Sequence, residues 1–214
     1  IVSRVEDSDS SVTNFKVTEE VIEDLKLFQV QEGETVKDKM NEFAERAKAI
    51  AGVETLPQLA WTTDLFYHTP LYFQWYDRVE RAYLDIMIIG ESRTGKSQTA
   101  KKLMDLYELG MFTSLKGATI AGLIGGSDQT SGGYTTKLGV LPRNHLGAVI
   151  MEEFSGASRE LIGKLTDIRS SNMVRLDRVN GSTRAPAMVR MLSISNQRKN
   201  SQGESIPLRQ HRKV

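Results

Sequence analysis

The stretch 84-LDIMIIGESRTGKSQTAKKL-103 decides the fold. Its first seven residues are an almost unbroken apolar run, which reads as a buried strand of a parallel sheet, because such strands are covered on both faces. Gly90 to Ser97 then match G-x-x-x-x-G-K-[ST] in full. Gly90 and Gly95 let the backbone through Glu91, Ser92, Arg93 and Thr94 curl until successive N–H groups face one anion. The helix that follows adds the positive end of its dipole. Lys96 is placed to reach the β- and γ-phosphates of a nucleotide and Ser97 to bind Mg²⁺ through its hydroxyl, with Gln98 completing the first turn. Because KSQTAKKLMDLYEL is a run of helix formers, the motif lies between a strand and a helix, the setting it requires. A chance glycine-rich turn has no reason to sit there.

The rest of the chain is read outward from this loop. With 214 residues, there is ample length for a buried core. No run of 18 apolar residues occurs, so nothing reads as a membrane span. No signal-peptide pattern opens the chain. The absence of cysteine excludes disulfides and cysteine-ligated zinc, and a cytoplasmic or nucleoid setting is expected. The net charge of +1 conceals an asymmetry. Residues 1–54 carry 7 Lys and Arg against 13 Asp and Glu, whereas residues 159–214 carry 12 against 4. A basic end of this kind fits either a nucleic-acid surface or a solvated tail.

Residues 1–17 are polar and unperiodic, a linker or arm, and a chain opening on Ile is expected to be a piece of something longer. Residues 18–83 form a helical lead-in. Thr18 is its first N-cap, and residues 35–51 form a helix with Val36, Met40, Phe43, Ala47 and Ile50 on one face, closed by Gly52. Residues 56–83 hold eight aromatics, from Trp61 to Tyr83, expected to pack beneath the sheet rather than to stack bases. After the helix at 96–109 comes an irregular Gly/Ser/Thr-rich segment at 115–141. A strand at 147–151, a helix at 158–170 and a strand at 188–195 follow. Strands alternating with helices predict a parallel α/β sheet with right-handed crossovers. Between the last two elements, 173-MVRLDRVNGSTRAPAMVRM-191 reads as a hairpin turning at Asn180-Gly181, with Arg178 and Arg184 making its tip cationic.

A phosphate loop of this kind needs acids at the end of a neighbouring strand. Glu152 and Glu153 follow AVIM at 148–151. Glu152 is read as a metal ligand and Glu153 as the general base on an attacking water. The same pair would also favour the start of the next helix. Asn196 ends the strand at 189–195, where a polar side chain can orient that water toward the γ-phosphate.

These residues together resemble the AAA+ ATPases, and within them the minichromosome-maintenance (MCM) type of replicative helicase. The resemblance covers about residues 84–197. Its carriers are GESRTGKSQTAKKL, the stretch LGVLPRNHLGAVIMEEF at 138–154, and the spacing from Glu153 to Asn196. It implies a P-loop NTPase fold with two β-hairpin insertions, one at about 122–138 with a tight turn at Ser131-Gly132-Gly133, the other at 173–191. It further implies ATP and Mg²⁺ as cofactors, a homo-oligomeric, hexameric ring, and a single DNA strand in a central channel. Arg178, Arg184 and Lys137 fall where the hairpins would meet the DNA backbone. Two motifs depart from the common pattern: the acidic pair is Glu-Glu rather than Asp-Glu, and Arg93-Thr94-Gly95 stands where Gly-Thr-Ala is frequent. The AAA+ core assigned to 84–214 would end before the family's arginine finger and sensor-2 arginine; Arg209 and Arg212 are candidates to which neither role is assigned. The expected activity is ATP hydrolysis coupled to DNA unwinding. A protein-remodelling AAA+ ATPase and a nucleotide-controlled DNA-binding scaffold with little turnover are the alternatives.

Overall fold

Four apolar segments assemble into one parallel sheet in the computed structural model, which describes residues 18–26, 29–52, 57–130, 133–178 and 181–197. The arm expected at 1–17 and the arginines 209 and 212 lie outside the described residues. In chain order the elements begin with helices α1 (Glu19–Lys26), α2 (Val36–Ala51) and α3 (Pro57–His68), then strands β1 (Tyr72–Trp75), β2 (Arg78–Arg81) and β3 (Ile86–Gly90). They continue with α4 (Lys96–Tyr107), β4 (Met111–Ser114), α5 (Ile120–Leu123), β5 (Gly125–Thr130), β6 (Gly133–Leu138) and α6 (Val140–Arg143). The last are β7 (Ala148–Glu152), α7 (Arg159–Ser171), β8 (Met173–Arg178), β9 (Gly181–Pro186) and β10 (Arg190–Asn196). Residues up to Glu42 form one compact unit and those from Phe43 a second.

The sheet runs β3-β10-β7-β4 with every pair parallel. Its two inner strands, β10 and β7, are the most deeply buried, as cover on both faces demands. Alternation along them builds two cores. Val149, Met151 and Met191 face Leu161, Leu165 and Ile168 of α7. Ala148, Ile150, Leu192 and Ile194 face Phe66 and Tyr67 of α3 and Ala100 of α4. Each of these large side chains contributes on the order of 2 kcal/mol by leaving water. Asp85, just before β3, fastens the layers at one end: one carboxylate oxygen takes Arg169 Nε at 2.5 Å and the other accepts from Met191 N at 3.2 Å.

Several expectations need correction. The P-loop strand is an edge strand among the described residues, with Met87 48% exposed, because β10 covers one side of it only. β4 was not anticipated. Its four residues are too few to show a period, and its approach depends on Gly110, at φ 112, where a Cβ would lie 2.7 Å from Ala148 O. The segment at 115–141 is not irregular throughout, since β5 and β6 pair antiparallel over six rungs as the hairpin expected at about 122–138. Ser131 and Gly132 lie outside the described residues.

The buried stripe of α2 is Ala44, Ala47 and Ala51, while Val36, Met40 and Ile50 are exposed. Alanines three and four apart let the helix backbone lie close to Ala60 and Leu103, an approach larger side chains would block. Gly52 closes the helix as expected, at φ +65 with its N–H on Lys48 O at 2.9 Å. Of the aromatics, Phe66, Tyr67 and Tyr83 are buried, but Tyr72, Phe73, Trp75 and Tyr76 are exposed on β1 and the β1–β2 turn.

At the end of α3, His68 Nδ1 lies 3.1 Å from Asp64 Oδ1, and Tyr107 donates to the same carboxylate. The hydrogen bond with Asp64 raises the His68 pKa above its ordinary value, against the opposing effect of burial. A raised folded-state pKa stabilises the protonated form. The contribution is therefore full below the unfolded value of about 6.5 and is lost as pH rises through the folded value. Thermal melts should show His68→Gln less stable than the parent at acidic pH, with the gap closing as pH rises past neutrality.

Candidate nucleotide site

Parallel strands bring their carboxyl ends to one edge of the sheet, and ligands of such sheets bind there. Here the register places Asn196 beside Gly90 and Ser114 beside Glu152. The strands that lead into the P-loop, the acidic pair and Asn196 thus end side by side, although more than a hundred residues separate Gly90 from Asn196.

The loop curls at two left-handed residues. Gly95, which caps α4, has φ 76, and Arg93 has φ 64. The sequence reading assigned the curl to Gly90 and Gly95. Gly90 instead lies outside that region, and a Cβ there would make ordinary contact with Lys96 Cδ at 3.5 Å. The strain resides in Arg93, a non-glycine residue in a sparsely populated backbone region, which is common at ligand-binding loops. Glu91, Ser92 and Thr94 are exposed around it, with Thr94 Oγ1 donating to Glu91 O at 2.9 Å.

Lys96 is buried, with its ammonium ringed by oxygens. It donates to Gly90 O at 3.1 Å, to Glu91 O, to Thr94 Oγ1 at 3.2 Å and to Asn196 Oδ1 at 3.4 Å. Burial lowers its pKa from the ordinary lysine value, with Glu91 opposing. The Asn196 contact ties the P-loop to the neighbouring strand, and Gln197 N reinforces it by donating to Gly90 O at 3.2 Å. Gln98 is committed elsewhere: its amide donates to Ala51 O at 3.0 Å, holding the end of α2 against the first turn of α4.

Ser97 Oγ donates to Glu152 Oε1 at 3.2 Å. A hydroxyl and a carboxylate oxygen at that spacing are the hard donors that suit Mg²⁺, an ion that keeps most of its waters and phosphate ligands. Glu153 has turned off the strand into the left-handed region, φ 55, and its carboxylate takes a different partner from that of Glu152. Its Oε2 accepts from Ser114 Oγ at 2.7 Å. Ser114 escaped the sequence reading because β4 did, and no local pattern marks a serine as the partner of an acid 39 residues on. Ser114→Ala frees the Glu153 carboxylate without touching the phosphate loop. Steady-state kinetics should show turnover changed several-fold and nucleotide affinity unaltered, the pattern expected of a carboxylate that acts on the attacking water and not on the phosphates.

The β8–β9 hairpin forms as expected, but its register alters the arginine positions. The closing rung pairs Arg178 with Gly181, so Gly181 belongs to β9 and not to the turn; Val179 and Asn180 lie outside the described residues. Arg184 is three rungs below, opposite Arg175, about 10 Å from the tip at strand rise. Arg190, the fourth arginine of the stretch 173–191, is no surface group: it is buried and donates to Thr69 O at 3.0 and 2.7 Å, capping the end of α3. Lys137 pairs with Gly126 one rung from the base of the β5–β6 hairpin, at the end away from its turn.

A model of one protein family, described as the MCM P-loop domain, matches residues 29–202. No curated protein sequence matches the chain. The match spans the phosphate loop, both hairpins, the acidic pair and Asn196, on a parallel sheet flanked by helices: the chain belongs to the MCM P-loop domain family, the MCM-like AAA+ ATPases, and carries a P-loop NTPase fold.

Proposed function

We propose that this chain is the motor core of an ATP-dependent DNA helicase, hydrolysing ATP at subunit interfaces of a homo-oligomeric ring and moving a DNA strand with its hairpins. The observation that carries the reading is the convergence of Lys96, Ser97, Glu152, Glu153 and Asn196 at one sheet edge, with β8–β9 inserted between the strands that bear the last three. Gly90 to Ser97 would hold the phosphates. Ser97 and Glu152 would hold Mg²⁺, which when bound neutralises phosphate charge. Glu153 would take the proton of the attacking water and Asn196 would orient it. Basic residues on the hairpins, Arg178 at the tip and Arg184 below it, would contact phosphates without reading sequence. The setting would be wherever that DNA lies.

Hydrolysis measured with and without single-stranded DNA tests this. Stimulation by DNA of any sequence, weakening steeply with salt, is the expected result. ATP turnover indifferent to DNA would favour a protein-remodelling machine, and DNA binding without turnover would favour a scaffold; either result ends the helicase reading.

A further inference from the structure

The β5–β6 and β8–β9 hairpins leave the fold separately, yet their roots meet. Because the nucleotide site takes the carboxyl ends of the parallel strands, the segments that precede β7 and β10 lie at the opposite edge of the sheet. There the chain passes from β6 through Gly139 and α6 into the loop 144–147, and from β9 through Ala187 and Met188 toward β10.

The root of β5–β6 is backbone against backbone. A Cβ on Gly139 would fall 2.4 Å from Leu123 C, and Gly139 N donates to Ile124 O at 3.1 Å. α6 follows without a break, with Val140 and Leu141 buried in the core that β7 and α7 share. The loop after it is closed onto the helix. Asn144 Nδ2 donates to Val140 O at 2.8 Å, and Gly147 N to Asn144 O at 2.9 Å. A short element packed and tied in this way transmits displacement rather than absorbing it.

At its far end the same element grips the other hairpin. Leu146 N donates to Met188 O at 2.7 Å, and Met188 N donates to His145 Nδ1 at 3.1 Å. Both backbone polar groups of Met188, two residues past β9, are therefore held by two neighbouring residues of the loop. Leu146 is in the left-handed region, φ 64, a conformation that persists only where its surroundings fix it. A second contact joins the hairpins directly: a Cβ on Gly125, the first residue of β5, would lie 3.1 Å from Leu176 Cδ1 of β8. Half of the grip on Met188 is made by a side chain, through a ring nitrogen that accepts only while it carries no proton. It can thus be removed without altering the backbone.

We propose that His145 is a positioning residue that clasps the return strand of β8–β9 to α6, so that the two hairpins shift as one body rather than singly. Its consequence for DNA, that both hairpins engage the strand together, rests on the reading given under Proposed function.

The chain has no cysteine, so spin labels on Thr136→Cys and Ser182→Cys report the distance between the hairpins in the full chain. Both positions are exposed, one on β6 and the other on β9. With His145 in place the interlabel distance is expected to be single and narrow. His145→Ala removes the acceptor and should broaden it. His145→Asn, whose amide oxygen can stand near the place of Nδ1, should restore it. DNA-stimulated ATP turnover should follow the same order, lowered about 2- to 30-fold in His145→Ala, the span that changes within a coupling network produce. Turnover without DNA should stay at the parent's value, since His145 lies at the edge of the sheet away from the phosphate loop. An unchanged distance in His145→Ala overturns the proposal. Broadening that His145→Asn leaves in place overturns it as well, because the bulk of the ring and not its accepting atom would then hold the strand. A parent chain without DNA stimulation ends the motor reading, while the label distances still decide the clasp.

Discussion

Replacing Glu153 with Gln is expected to lower ATP turnover by about 10²- to 10⁴-fold, the usual contribution of a positioned general base, while nucleotide affinity stays near that of the parent. Gln keeps the length of the side chain, and its carbonyl oxygen can still accept from Ser114 Oγ, which lies 2.7 Å from Glu153 Oε2. What it loses is the capacity to take a proton. The left-handed backbone of Glu153, φ 55, separates its role from that of Glu152, whose carboxylate is already on the Ser97 hydroxyl. Single-turnover hydrolysis together with nucleotide titration separates the two effects. Turnover within tenfold of the parent would remove Glu153 from the mechanism. A parallel loss of nucleotide affinity would make it a binding residue.

Local features of the site were the legible ones. The P-loop motif fits within eight residues, and its glycines and flanking strand and helix are set by sequence neighbours. The acidic pair and Asn196 each end an apolar run, which makes strand ends visible without a structure. Ser114 was hidden because its strand is four residues long and is built by pairing with β7, a long-range contact that no periodicity records. Similarly, the face of α2 was read only in part: Phe43 and Ala47 pack inward, but Val36, Met40 and Ile50 are exposed, because large apolar residues dominate a pattern whereas the close packing there is done by Ala44, Ala47 and Ala51. Aromatic content spoke for burial, which holds at Phe66 and Tyr67 but not on β1, because a four-residue strand paired on one side only has nothing of this chain packed over its rings among the described residues. Register was the remaining difficulty. Asn180-Gly181 announced a hairpin, but only strand pairing shows that Gly181 closes the ladder and that Arg184 faces Arg175.

That register gives the second large effect. Arg178→Ala is expected to abolish DNA translocation while nucleotide affinity is retained. Arg178 occupies the rung at the turn, and the other end of the hairpin is rooted in the core, with Val174 and Ala187 packed in the cluster that includes Val149 and Met151 of β7. β9 then leads directly into β10, which carries Asn196. A shift at the nucleotide site would therefore reach the hairpin base through packed strands, and the rung at the turn, as the end of the lever, would move farthest. Loss of one phosphate contact should also reduce the salt dependence of single-strand binding by about 0.7 in the log–log slope, equally for all sequences. Arg184→Ala should be milder. In the free chain it faces Arg175, and removing one of two like charges directly across a ladder relieves repulsion that costs a few tenths of a kcal/mol or more. A variant lacking Arg178 that still moves along DNA at the parent's rate would place the working contact elsewhere, and an Arg184→Ala loss exceeding that of Arg178→Ala would put it on the Arg175–Arg184 rung.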